Sequence, residues 1–227
     1  MTVLSAARSA AIRLSQVQPD SLFSSTQPFD VEMADLATET AISIAKEHDW
    51  QALTKLATLT GDGTDTSFML PDDYDRMPQK ANVHSISFST ASFRRALDLD
   101  EWLNLNDFQS NGSPGNWIIL GGEMQIFPAM PVGETARFYY ISKNIVANQT
   151  AFLADDNEFV LPERLLTLGL MWRWRAMKRT EYAEDLRNYE IALSQEIKND
   201  KGAQMITVGR QRMPAGISVA YPGIITP

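Results

Sequence analysis

The sequence predicts an α+β protein that is mainly α, in which a helical bundle carries an inserted small antiparallel β-sheet and ends in an extended C-terminal arm. Near both ends of the chain, apolar residues recur every three or four positions, as on the buried face of an amphipathic helix. The middle instead has short apolar runs separated by turns rich in glycine and aspartate. The last residues, 203–227, combine proline and glycine with scattered aliphatic side chains and cannot form a core alone.

Two helices are predicted at the N-terminus, over residues 3–16 and 30–47. Asp30 is a suitable N-cap for the second helix, since its carboxylate can accept hydrogen bonds from the first free N–H groups. The apolar stripe of that helix consists mostly of small residues: Ala34, Ala37, Ala41, Ile44 and Ala45. Small side chains permit a close approach by another helix, either in the same subunit or in a neighbour.

The β-rich insertion is predicted over about residues 50–145. Residues 53–60 and 67–70 read as two strands joined by a polar turn, 71–78 as a turn, and Val83 to Phe88 as a further strand. The clearest hairpin has two apolar arms around Gly121 and Gly122. Residues 136–142 are expected to pair with it as a third strand, so the sheet is predicted to be small and antiparallel.

A helical hairpin is predicted over residues 162–178 and 181–201. Its first arm carries two apolar stripes, which is too much for the surface of a monomer: one has Leu165, Leu168 and Trp172, the other Leu166, Leu170, Trp174 and Met177. We therefore expect this arm to face both its own core and a neighbouring subunit. Residues 1–202 are predicted to form a single domain, followed by the arm 203–227.

Composition excludes several classes of function. The chain of 227 residues has a net charge of −8 and a pI near 4.8, which disfavours an electrostatic grip on nucleic acid. It has no cysteine, so disulfides, thiol catalysis and thiolate metal sites are absent. Residues 1–16 lack the continuous apolar stretch of a signal peptide or spanning helix, and the product is expected to be soluble and intracellular when made.

No motif indicates catalysis, a cofactor or a metal. His48 and His84 lack the spacing of a metal-binding pair, and the acidic segments 61–65 and 71–75 lack the calcium-loop pattern, so we interpret them as turns. No glycine-rich phosphate loop and no nucleophile elbow is present.

Aromatic and basic residues alternate from Trp172 to Arg175, an arrangement that could stack on single-stranded nucleic acid. On an amphipathic helix of an acidic chain, the favoured interpretation is packing by the tryptophans. The arginines would then pair with neighbouring acids.

The order of these segments resembles the head-to-tail adaptor proteins of tailed bacteriophages. The resemblance covers about residues 30–200 and lies in HDWQALTKLATLTGDG, in FMLPDDYDRMP, in GGEMQIFP followed by FYYIS, and in LPERLLTLGLMWRWRAMKRTEYAEDLRNYEIAL. It implies a virion protein at the head–tail junction, made in the host cytoplasm, that forms a ring of about twelve subunits between the portal and a tail tube or hub protein. DNA would pass through the central channel as cargo, and no catalytic residue or cofactor is carried over.

We expect the contacts with neighbours or with the portal to use the second stripe of the hairpin and the aliphatic side chains of the arm: Leu166, Leu170, Trp174, Ile206, Val208, Ile217, Val219, Tyr221 and Ile224. The arm could add a strand to the portal or to an adjacent subunit. Two alternatives remain open at this level, a tail-completion or tail-terminator protein and, on weaker grounds, a hydrolase of cell-wall polysaccharide.

Overall fold

A large mixed β-sheet lies beside the helices in the structure, a computed structural model that describes residues 2–79, 81–86, 92–107 and 115–201. Helix makes up 42% and strand 23% of the described residues. The prediction of a mainly α helical bundle with a small antiparallel sheet is therefore wrong, because the sheet has eight strands and includes a parallel pair. The C-terminal arm of that prediction lies outside the described residues.

Five α-helices form within the described residues, and four of them lie close to the positions predicted from the sequence, the exception being the additional α3. They are α1 (Val3–Ser15), α2 (Pro28–Glu47), α3 (Leu99–Asp107), α4 (Glu163–Met177) and α5 (Ala183–Lys201). The start of α2 differs from the prediction, because Pro28 occupies the first turn and Gln27 is the N-cap. Asp30 lies inside that first turn, where its Oδ2 accepts a hydrogen bond from Ser25 Oγ at 2.6 Å.

Eight strands form one sheet in the order β1-β8-β4-β5-β6-β7-β2, with β3 also paired to β8. Their bounds are β1 (Thr54–Thr60), β2 (Ser67–Met69), β3 (Tyr74–Arg76), β4 (Val83–Ser85), β5 (Ser92–Arg95), β6 (Asn116–Leu120), β7 (Glu123–Phe127) and β8 (Thr135–Ser142). Only β5 and β6 are parallel, and the connection between them contains α3.

Two predicted pairings are wrong. The hairpin of β6 and β7 forms as expected, but β8 pairs with β1, β3 and β4 rather than with that hairpin. Likewise, β1 and β2 do not pair with each other and lie at opposite ends of the strand order. In addition, β3 forms within the segment 71–78 that was read as a turn.

Two hydrophobic clusters lie within the described part of the chain. The helical core is formed by α1, α2, α4 and α5 together with side chains near the ends of β1 and β8, such as Trp50, Leu53 and Ile141. The sheet core consists of side chains that the strands direct inwards: Ala57, Val83, Phe93, Trp117, Met124, Ile126, Met130, Ala136, Phe138 and Tyr140. The side chains on the inner face of the sheet thus pack against one another, and the outer face is exposed to solvent.

Helix α4 lies at the centre of the helical core, in contact with α1, α2 and α5. A Cβ atom added at Gly169 would lie 2.4 Å from Thr40 Cγ2, so α2 and α4 cross at a distance that only glycine allows here. The small residues of α2 therefore serve a contact within one subunit. Three neighbouring helices also cover most of the two apolar stripes of α4, while Met177 at its end stays 46% exposed.

Candidate interaction surfaces

The three helical residues predicted to contact a neighbour lie at different depths. Leu166 and Leu170 have no exposed surface and pack in the helical core. Trp174 is half-buried; its ring meets Phe29 edge-on at 5.6 Å between centroids, and its Nε1 donates to Glu32 Oε2 at 3.2 Å. Only Trp174 therefore reaches the surface. The six predicted contact residues of the arm lie outside the described residues: Ile206, Val208, Ile217, Val219, Tyr221 and Ile224.

Three basic residues at the C-terminal end of α4 form ion pairs with acids of the neighbouring helices. Arg173 Nη1 lies 2.6 Å from Glu39 Oε1, and Arg175 Nη1 lies 2.7 Å from Asp185 Oδ2. Lys178 Nζ lies 2.6 Å from Glu32 Oε1 and also faces the ring of Trp174. The guanidinium group of Arg173 similarly lies over the ring of Trp172, a cation–π contact. The structure thus favours packing and ion pairing over a nucleic-acid surface for this segment.

The outer face of the sheet carries exposed apolar side chains around a cation. Leu56 and Tyr139 are directly paired across β1 and β8 and are 53% and 55% exposed, and Ile86 beyond β4 is 51% exposed. Arg137 and His84 are paired across β8 and β4 on the same face and are also exposed. We name these five residues the outer sheet patch. Apolar surface gathered in this way is typical of a protein interaction site.

A second apolar surface projects from α3. Leu97, Leu99 and Leu103 are 83%, 56% and 63% exposed, while Trp102 on the same helix is buried. Acidic residues surround the three leucines, and Glu101 is held by Arg94 Nη2 at 2.9 Å and by the N–H of Leu97 at 2.7 Å. We name Leu97, Leu99 and Leu103 the α3 ridge. It combines exposed leucines with negative charge, whereas the outer sheet patch carries positive charge.

A buried carboxylate joins the start of β3 to β1 and β8. Burial alone would raise the pKa of Asp73, but hydrogen bonds from Lys55 Nζ at 2.5 Å, Tyr140 Oη at 2.7 Å and Ser142 Oγ at 2.8 Å outweigh it and lower that pKa to about 2. Burial and the contact with Asp73 raise the pKa of Tyr140 to about 12. Asp73 is therefore ionised at neutral pH and links the loop before β3 to the sheet.

The acidic loop 61–65 is a turn, as interpreted from its sequence. Asp62 Oδ1 accepts the N–H groups of Thr64 at 2.9 Å and Asp65 at 2.8 Å. These backbone hydrogen bonds lower the pKa of the exposed Asp62 carboxyl group. Such bonds are the local interactions by which aspartate favours turns.

The C-terminal end of α5 is hydrogen-bonded to residues just before β1. Asp200 Oδ2 lies 3.2 Å from His48 Nε2 and accepts the N–H of Gln51 at 3.2 Å, while Gln51 Nε2 donates to the Asp200 carbonyl oxygen at 2.5 Å. The remaining C-terminal residues therefore leave the described fold close to β1. Sequence patterns did not indicate this contact, because its partners are 149 to 152 positions apart.

The two histidines have separate roles, with His48 near α5 and His84 on the outer sheet patch. Within the described residues, no group of three or more His, Cys, Asp and Glu side chains could hold a metal ion. No helix of that part of the chain has the length and hydropathy needed to cross a bilayer.

Comparison with known proteins identifies a family. The sequence model of the family described as SU10 adaptor protein matches residues 1–218. No curated protein sequence matches the chain. Because the family match covers far more than half of the residues, the chain belongs to the SU10 adaptor protein family, consistent with a phage head-to-tail adaptor.

Proposed function

We propose, with membership of the SU10 adaptor protein family as the premise, that this chain is a structural protein of the phage virion that forms a ring between portal and tail. The family match over residues 1–218 is the observation that carries the proposal. An adaptor is a structural kind of protein, and its activity consists of binding other virion proteins. Its partners are then other copies of itself, the portal protein and a tail tube or hub protein.

The surfaces of the subunit suit such an assembly. A closed ring requires heterologous contacts, in which one face of a subunit meets a different face of the next. The outer sheet patch and the α3 ridge are two distinct apolar faces of opposite charge, which supports contacts of this type. Trp174 and the aliphatic residues of the arm supply further contacts, while Leu166 and Leu170 support α4 from inside the subunit.

The charge of the chain suits a channel through which DNA passes without being retained. The net charge is −8, and Arg173, Arg175 and Lys178 are already paired with acids. Cations that are paired with acids release few counterions from DNA, so this part of the described surface should bind DNA weakly.

Mass photometry of the purified protein, alone and mixed with its portal protein, tests the proposal. We expect ring-sized particles in at least the mixture, and cryo-electron microscopy of that mixture should show the ring seated on the portal. A chain that stays monomeric and ignores both portal and tail proteins would rule the proposal out. Localising the subunit in intact virions distinguishes the portal–tail junction from a position further along the tail.

A further inference from the structure

The first strand of the sheet has one edge to which no described strand is paired. Strand β1 is seven residues long and pairs with β8 along its whole length, from Thr54 opposite Ile141 to Thr60 opposite Thr135. It stands at the end of the strand order, and among the described elements only β8 packs extensively against it. Such an edge offers backbone N–H and C=O groups to an added strand.

The hydrogen bonds next to β1 identify the residues that face this edge. The N–H of Gly61 donates to the Glu134 carbonyl oxygen at 2.8 Å. This hydrogen bond extends the pairing of β1 with β8 by one residue pair. The N–H and C=O groups of successive residues in a strand point to opposite sides. The backbone groups of residues 55, 57 and 59 therefore also point towards β8. Leu56, Thr58 and Thr60 therefore point their backbone groups away from β8. Thr54 fits this alternation, since its N–H bonds to the Gln51 carbonyl oxygen instead.

The edge lacks the devices that usually protect an exposed strand. Natural edge strands are often guarded by charged residues, proline or a bulge. The sequence of β1 is TKLATLT, without proline, and its one charge, Lys55, bonds to Asp73. Its pairing with β8 is regular along all seven residues. The edge is thus suited to receive a strand rather than to repel one.

The chain itself contains a segment of matching length and pattern. Pro214 and Pro222 bracket the seven residues AGISVAY, 215–221, which carry no charge. Large residues alternate with small ones: Ile217, Val219 and Tyr221 would share one face of a strand, and Gly216, Ser218 and Ala220 the other. The apolar face would extend the row formed by Tyr139 and Leu56 on the outer sheet patch.

We propose that residues 215–221 of one subunit add as a strand to the free edge of β1 in the next subunit. The inference rests on the proposed ring, for which an exchanged strand supplies a heterologous link. Residues 202–214 connect this segment to α5, whose end is fastened beside Gln51. Thirteen residues span up to about 40 Å when extended, enough to reach a neighbour.

Paired cysteine substitutions test the strand and its partner. The natural chain has no cysteine, so every disulfide reports an engineered contact. Thr58→Cys is combined in one chain with Ile217→Cys, Val219→Cys or Tyr221→Cys. After mild oxidation of the assembled ring we expect at least one combination to give a ladder of covalent multimers on a non-reducing gel. The matched control combines Thr58→Cys with Ala220→Cys, whose side chain would lie on the opposite face, and should give at least about fivefold less product.

A backbone substitution provides an independent measurement. Thr58→Pro removes an N–H that faces the free edge and leaves the bonds to β8 intact, so the subunit should still fold. We expect its rings to dissociate at a concentration about tenfold higher than those of the Thr58→Ala control, as judged by mass photometry.

The outcomes separate this inference from the ring itself. Rings that form normally but give no cross-linked product with any of the three pairs, and that tolerate Thr58→Pro, would overturn the strand exchange and leave the ring proposal standing. Cross-linked monomers would show that the segment returns to its own β1, which also overturns the exchange. Failure of the unmodified chain to form rings on its portal would overturn both.

Discussion

At the scale of single residues, Asp73 has the most demanding environment in the described structure. It is mostly buried, pairs with the ammonium group of one lysine and accepts hydrogen bonds from two hydroxyl groups. An asparagine at this place would lose the ion pair and keep one acceptor oxygen for three donors, which costs more than the loss of one ordinary hydrogen bond.

We predict that Asp73→Asn lowers the free energy of unfolding by about 1–2 kcal/mol at pH 7, a value reduced to allow for the partial exposure of Lys55. Urea unfolding followed by circular dichroism measures this difference. Asp72→Asn is the matched control, since its side chain is exposed, and it should change stability by less than about 0.5 kcal/mol. Equal losses in the two variants would contradict the role given to Asp73.

The same carboxylate predicts a dependence on pH. The pKa of Asp73 in the folded protein is about 2, below its ordinary value of 3.8, so its contribution is complete above about pH 4. The contribution is lost as the pH falls towards 2, because the unfolded chain binds the proton more readily. Between pH 5 and pH 2.5 the natural protein should therefore lose more stability than Asp73→Asn. Urea midpoints measured across that range check the sign.

Sequence reasoning identified Asp73 only as part of an acidic turn. Two of its partners, Tyr140 and Ser142, are 67 and 69 positions away, and no local pattern links them. In contrast, the role of Asp62 was predictable, because its partners Thr64 and Asp65 are two and three positions away. Local hydrogen bonding is visible in a sequence, whereas a contact that depends on strand order is not.

At the scale of elements, the close crossing of α2 and α4 depends on the absence of a side chain at Gly169. We predict that Gly169→Ala destabilises the protein by about 1–3 kcal/mol, because its Cβ would clash with Thr40 Cγ2. In the Thr40→Ala background the same change should be neutral or stabilising by up to about 1 kcal/mol, since alanine favours a helix over glycine. Thermal unfolding of the four proteins measures the coupling. If the effects of the two substitutions on stability were additive, the contact between Gly169 and Thr40 would not limit how closely α2 and α4 approach.

The helices were predictable to within two residues because their apolar spacing is local, but the sheet was not. Strands β3 and β4 have three residues each, too few for a period of two to be recognised. The pairing of β8 with β1, β3 and β4 joins segments far apart in the chain. The apolar surplus of α4 is visible in the sequence, but the sequence does not show that three helices of the same subunit cover much of it.

At the scale of the whole molecule, the pairing of cations with acids determines the response to DNA. We predict that the Glu32→Gln, Glu39→Gln double variant binds double-stranded DNA a few-fold more tightly at low salt, because it releases Lys178 and Arg173. Fluorescence anisotropy measures the affinity. The control Glu190→Gln, Glu196→Gln changes the net charge equally on α5, and a similar gain there would show that net charge alone is responsible.

The end of the chain offers a second test at this scale. Deleting residues 210–227 should leave the melting temperature of the subunit within about 2 °C of the natural value, because the proline- and glycine-rich arm is expected to dock on partners rather than to build the core. The same deletion should weaken docking to the portal or to neighbouring subunits, as measured by mass photometry. Loss of folding would instead assign the arm to the core of its own subunit.

The unguarded edge of β1 also has a consequence for handling and storage of the free protein. Strand edges with regular hydrogen-bonding groups and few charges can template the stacking of further chains. When an added strand does not close a ring, repeated heterologous contacts give open filaments. Concentrated, partner-free protein should therefore turn into fibrous precipitate over time. The substitution Thr58→Lys should slow the formation of this precipitate, which light scattering can follow.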